Sequence, residues 1–128
     1  YCFNRKEVKD HGEGGSLVGY IPQDEDRVII VEDVITAGTS VKESVELLAK
    51  VSKAKVIGLV ISVDRMEKGE TGKSAIQEVS EKFSLKAVSI VNIDEVISYL
   101  YNNNVDGRQV IDEETKKKIE EYRKVYGV

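Results

Sequence analysis

The chain has 128 residues, 41% hydrophobic and 33% charged, which suits one globular domain and excludes a disordered segment. Its net charge of −4 argues against a general nucleic-acid binder, and no apolar run approaches the roughly 20 residues of a membrane helix. One cysteine, Cys2, and one histidine, His11, exclude an internal disulfide and a Cys/His zinc centre, and with no leader pattern visible a soluble cytoplasmic protein is expected.

The chain opens on Tyr1-Cys2-Phe3, an apolar cluster that reads as the end of a strand whose beginning is missing, so truncation at the N-terminus is expected. Residues 4–23 carry Arg5, Lys6, Lys9, His11 and several glycines without helical or strand period, which predicts a long functional loop. Leu17-Val18-Gly19-Tyr20 suggests a short strand at its far end, and Pro22, the only proline, marks a turn. Residues 27–31 form a β-branched apolar run, the pattern of a strand buried on both faces. From Ser40 to about Lys53 the spacing becomes helical, with Val41, Val45, Leu48 and Val51 on one face.

Residues 56–63 give a second buried strand. A helix over 74–83 follows, where Ser74 and Gln77 form a capping box and Ala75, Ile76, Val79 and Phe83 make the apolar face. A third strand is predicted over 87–91 and a helix over 94–101, with Val96, Ile97 and Leu100 facing inward. Asn102-Asn103-Asn104 breaks the pattern. A last helix over 113–126 has Asp112 as its N-cap and Ile119, Tyr122 and Tyr126 on one side. Three strand–helix alternations predict an α/β fold, a parallel sheet with helices packed on it.

The chemistry concentrates in the turn that leaves the first of these strands, Val31-Glu32-Asp33-Val34-Ile35-Thr36-Ala37-Gly38-Thr39-Ser40. In an open parallel sheet, ligands bind beyond the carboxyl ends of the strands. Residues 36–40 are small or hydroxylic and lead into a helix, whose first amides carry partial positive charge and suit an anion. Two carboxylates beside an anion site conflict unless the ligand is a phosphorylated sugar. Its phosphate then lies against the amides, while its hydroxyls donate to Glu32 and Asp33. The turn lacks the Gly-Lys-Ser/Thr ending of a P-loop and the spacing of a dinucleotide fingerprint.

This turn resembles the phosphoribosyl-pyrophosphate (PRPP) motif of type I phosphoribosyltransferases. Phe3-Asn4-Arg5-Lys6-Glu7-Val8-Lys9-Asp10-His11-Gly12 is similar to the catalytic loop of the orotate phosphoribosyltransferases among them. Ile61-Ser62-Val63-Asp64-Arg65 resembles that family's strand end with its base-contacting arginine, and Ser74-Ala75-Ile76-Gln77-Glu78-Val79 and the ending Tyr122-Arg123-Lys124-Val125-Tyr126-Gly127-Val128 are also similar.

The resemblance implies a type I phosphoribosyltransferase-like parallel sheet flanked by helices, incomplete at the N-terminus, with a core over 1–104 (catalytic loop 4–20, PRPP motif 31–40) and a helical tail over 105–128. It implies transfer of the phosphoribosyl group of PRPP to orotate, giving orotidine 5′-monophosphate and pyrophosphate. Val34, Ile35, Thr36, Ala37, Gly38, Thr39 and Ser40 would surround the 5′-phosphate, and Glu32 and Asp33 the ribose. Arg5, Lys6, Lys9 and His11 would meet the pyrophosphate, and Arg65 with Thr36 the orotate. Lys9, Asp33, Arg5 and His11 are the expected catalytic set. Magnesium would ride mainly on the pyrophosphate, with no direct protein ligand. A homodimer sharing the loop between subunits is also implied.

In that family an N-terminal part supplies further contacts, so residues 1–128 alone are expected to be poorly active. Two other readings stand beside this one: a purine-salvage phosphoribosyltransferase and a non-catalytic PRPP- or nucleotide-binding regulator. The basic group at 5–11 disfavours the regulator. For Arg65 the competing reading is a surface salt bridge with Glu67.

Overall fold

The computed structural model of the chain describes residues 1–5, 17–36 and 38–128. Strand β1 (Cys2–Asn4) pairs antiparallel with β2 (Leu17–Gly19), Cys2 lying opposite Gly19 and Asn4 opposite Leu17. The apolar start is therefore a strand, as expected, but it runs through Asn4, which sequence reading placed in the loop. Both ends of the segment that carries Lys6, Lys9 and His11 are held in this pairing; these three residues themselves lie outside the described ones.

Strand β3 (Arg27–Glu32), helix α1 (Thr39–Val51), strand β4 (Lys55–Asp64), helix α2 (Ala75–Phe83) and strand β5 (Lys86–Asn92) follow. The three strands form a parallel sheet in the order β3-β4-β5. The register sets Ile30, Leu59 and Ala87 side by side, and one step further along it sets Val31, Val60 and Val88 in a row. Successive strand residues face opposite sides of a sheet, so these two rows belong to opposite faces. Helices α1 and α2 cover the first: Ile30, Leu59 and Ile61 pack with Val41 of α1 and Ala75 and Val79 of α2, and Leu59, Ile61 and Val41 are completely buried.

The second face departs from expectation. Ile29 is 54% exposed, Val31 74% and Ile90 76%. The apolar run 27–31 predicts a strand covered on both sides, yet among the described residues only one side is covered. Val51, expected on the inner face of α1, is also exposed: it is the last residue of the helix, and the buried row ends at Leu48.

Helix α3 (Ile93–Asn102) starts directly from β5. The Asn92 side chain accepts the Glu95 amide at 3.0 Å, and the Glu95 carboxylate accepts the Asn92 amide at 2.8 Å, a reciprocal cap. A small hairpin follows, β6 (Asn104–Val105) with β7 (Arg108–Gln109). Its two turn residues, Asp106 at φ 50° and Gly107 at φ 74°, both take the positive φ that a tight two-residue hairpin demands. Sequence reading had only the asparagine break here.

Helix α4 (Glu113–Tyr126) begins as expected, with Asp112 accepting the Thr115 amide at 2.8 Å. Its end is fastened to the loop after β4. The Lys68 amide donates to the Tyr126 carbonyl at 2.8 Å, and the Val128 amide donates to the Met66 carbonyl at 3.0 Å. Among the described residues, no helix is long and apolar enough to cross a membrane.

Candidate active site

Strand β3 delivers the chain to Glu32 at the carboxyl edge of the sheet, opposite Ile61 of β4. The next carbonyl, that of Asp33, accepts the amides of both Ser62 and Val63 at 3.0 Å. This double bond to the neighbouring strand fixes where the turn leaves the sheet. The Asp33 carboxylate folds back to accept the Val34 amide at 2.6 Å, and Ile35 is buried in the core. Any part Ile35 takes in ligand contact must therefore come from its backbone. Glu32 is half-buried, while Asp33, Thr36, Thr39 and Ser40 are exposed.

The start of α1 differs from the other described helices in a way that bears on anion binding. Helix α2 is capped by Ser74, α3 by Asn92 and α4 by Asp112, and each has an acidic residue in its first turn. Helix α1 begins at Gly38 with no side-chain cap and no acid in the first turn. Its leading amides are left without an internal partner, and the partial positive charge there is not offset. Gly38 itself sits at φ 68° and is buried against α2, where a Cβ would collide with the Val79 side chain. Only glycine meets both demands.

A cleft of about 810 Å³ runs beside β3 and α1. Asn4 of β1, Glu32 of β3 and Ser40 of α1 all line it, so the end of the first strand, the first acid of the pair and the first turn of α1 share one space, while Asp33 is not among the lining residues. Arg5 follows Asn4 and is exposed. Ala37, like Lys6, Lys9 and His11, lies outside the described residues.

Arg65 leaves β4 at the same edge of the sheet. Its Nη2 donates to Glu67 Oε1 at 2.6 Å, so the ion pair weighed from the sequence is present. The Tyr122 hydroxyl of α4 donates to the same oxygen at 3.0 Å. The hydrogen bond to Glu67 holds the Arg65 guanidinium above its ordinary pKa against the opposing effect of burial, and the same carboxylate raises the Tyr122 phenol. The helical spacing sets Tyr122 on one side of α4 with Ile119 and Tyr126 and says nothing of this bond. Fifty-five positions separate it from Glu67, and no local pattern reports such a contact.

A parallel α/β sheet whose strand-to-helix turn sets an acidic pair before an uncapped helix belongs to the class of open α/β domains with a helix start suited to an anion at the carboxyl ends of the strands. Residues 23–90 match the phosphoribosyl transferase domain family, and the chain belongs to that family. A Clostridium acetobutylicum protein named orotate phosphoribosyltransferase is 54% identical over 128 residues, a match that covers all of this chain and 57% of that protein. One of the same name from Clostridium botulinum is 50% identical over 127 residues, covering 99% of this chain and 57% of its own length. Among solved structures, the orotate phosphoribosyltransferase of Francisella tularensis matches the whole chain and 56% of its own, with 32% identity and a TM-score of 0.72. The fold expected from the sequence is thus the fold observed. The chain spans a little over half the length of these relatives, 56–57%.

Proposed function

We propose that the protein carrying this chain transfers the phosphoribosyl group of PRPP to orotate, forming orotidine 5′-monophosphate and pyrophosphate in pyrimidine biosynthesis. One observation supports this most: the acidic pair and the uncapped helix meet in one turn, within a domain 54% identical to an orotate phosphoribosyltransferase. The 5′-phosphate lies against the amides and hydroxyls of 36–40, with the backbone of Val34 and Ile35 at its rim. Glu32 and Asp33 accept hydrogen bonds from the ribose hydroxyls. As the bond to pyrophosphate breaks, the ribose gains positive charge, and the same carboxylates stabilise it. Arg5, Lys6, Lys9 and His11 meet the charge gathering on the leaving group, and their closing over it keeps water from the reactive carbon. Arg65 pairs with the orotate carboxylate through two parallel N–H donors, and Thr36 touches the base.

Magnesium fits as an ion carried mainly by pyrophosphate oxygens, where it would offset their charge. Among the described residues no group of three His, Cys, Asp or Glu side chains is arranged to hold a metal. The same reading includes a homodimer that shares the loop 4–20, a cytoplasmic location, and a division into a core over 1–104 and a helical tail over 105–128.

The test is direct. Full-length protein is mixed with PRPP and magnesium, and orotate absorbance is followed, with adenine, hypoxanthine and uracil in parallel. Consumption of orotate alone is expected. Turnover of a purine instead would replace orotate in the reading, and PRPP binding without any turnover would make the protein a regulator.

A further inference from the structure

Arg65 is the first residue beyond β4, so the sheet fixes its backbone but leaves its long side chain free to swing. Two groups from separate parts of the chain restrain it. Glu67 receives Nη2 at 2.6 Å, and Tyr122 donates to that same carboxylate oxygen at 3.0 Å. Tyr122 is held in turn. Its ring lies 4.6 Å from that of Tyr126, and the end of α4 is joined to the loop after β4 through Lys68 to Tyr126 and Val128 to Met66. The Lys68 ammonium adds a bond to the Val125 carbonyl at 3.2 Å.

The Arg65 and Glu67 side chains are 39% and 21% exposed, and both line a cavity of about 400 Å³ with Tyr122 of α4. A guanidinium has five N–H donors. Glu67 engages one of them, and the rest remain for a second, planar acceptor.

We propose, building on the reading of Arg65 as the group that receives the orotate carboxylate, that Glu67 and Tyr122 are its positioning residues. Helix α4, far along the chain from the PRPP turn, thereby takes part in recognition of the base. Neither residue touches substrate. Each limits the directions the guanidinium can take before orotate arrives, which lowers the entropy lost on binding.

Steady-state kinetics on full-length wild type, Tyr122→Phe, Glu67→Gln and Glu67→Ala test this. Tyr122→Phe keeps the ring and its contact with Tyr126, so it isolates the hydroxyl. The KM for orotate is expected to rise about threefold in Tyr122→Phe and about tenfold in Glu67→Ala, with PRPP KM and kcat within about twofold of wild type. Glu67→Gln, whose amide oxygen still accepts both bonds, falls between wild type and Glu67→Ala. Damage to the fold would instead move all three constants together.

The proposal is overturned if wild type consumes orotate while Tyr122→Phe and Glu67→Ala leave its KM unmoved. It is equally overturned if the PRPP KM climbs in step, or if Glu67→Ala lowers the orotate KM, which would make Glu67 a competitor for Arg65. Wild type that ignores orotate would remove the underlying reading, and this assignment with it.

Discussion

Gly38 carries two constraints at once, and only one was legible. The run Thr36 to Ser40 reads as a small-residue turn into a helix, a place where a glycine gives the backbone a conformation other residues resist. Nothing local announced that the same atom abuts Val79, 41 positions later, because that contact depends on how α2 crosses the sheet. Gly38→Ala is expected to lower unfolding stability by roughly 2–6 kcal/mol, the sum of a strained φ and an overpacked contact. Adding Val79→Ala should relieve the collision but not the strain, so in urea unfolding the double variant loses less stability than the two single changes add up to, while remaining below wild type. Asp33 gives the complementary case. Its carboxylate accepts the Val34 amide at 2.6 Å, and an asparagine oxygen can accept it too. Asp33→Asn is expected to leave the melting temperature nearly unchanged while kcat falls by about 100- to 1000-fold, the range for removing one charge-stabilising group.

Helix ends show which local patterns carry through and which do not. The box at Ser74 and Gln77 and the cap at Asp112 were readable because each stands just ahead of an obvious apolar period. Asn92 and Glu95 make the same box unannounced, because apolar residues run from β5 straight into α3 and hide the boundary. Asp106-Gly107 is a plain turn dipeptide, but strands of two residues are too short to show a period around it. Two expectations belong at this scale. Placing an acid in the first turn of α1, as in Ser40→Asp, should stabilise that helix by about 0.3–1 kcal/mol. On the function proposed above, the same change should raise the KM for PRPP, because the new carboxylate occupies the field that reading gives to a phosphate. Gain in melting temperature together with loss of affinity is the combined result to look for.

The second expectation concerns acid. The Thr115 amide, followed by its hydroxyl, holds Asp112 below its ordinary pKa. A group depressed on folding contributes stability above its unfolded pKa and loses it as pH falls through the folded value. Asp112→Asn keeps a good cap but cannot titrate. Thermal melts of the two proteins should therefore converge as pH drops below about 4, the carboxylate range, and diverge above it.

At the largest scale, the described residues form a parallel sheet covered on one side. An apolar run without alternation says that both faces of a strand avoid water; it cannot say what covers each. Residues 1–128 leave Ile29, Val31, Val88 and Ile90 bare among the described residues, an apolar surface that favours self-association. Replacing Val31 and Ile90 together by threonine should change unfolding stability by no more than about 0.5 kcal/mol per site, as for other exposed positions. Light scattering of 1–128 at rising concentration should show less association in the double variant than in the parent.

The chain is also bound to itself at Val128, whose amide donates to the Met66 carbonyl at 3.0 Å. A purification tag fused after Val128 would start one hydrogen bond from Met66, the residue next to the arginine proposed to receive orotate. Affinity handles and fluorescent fusions at that position therefore stand to disturb substrate choice before they disturb folding.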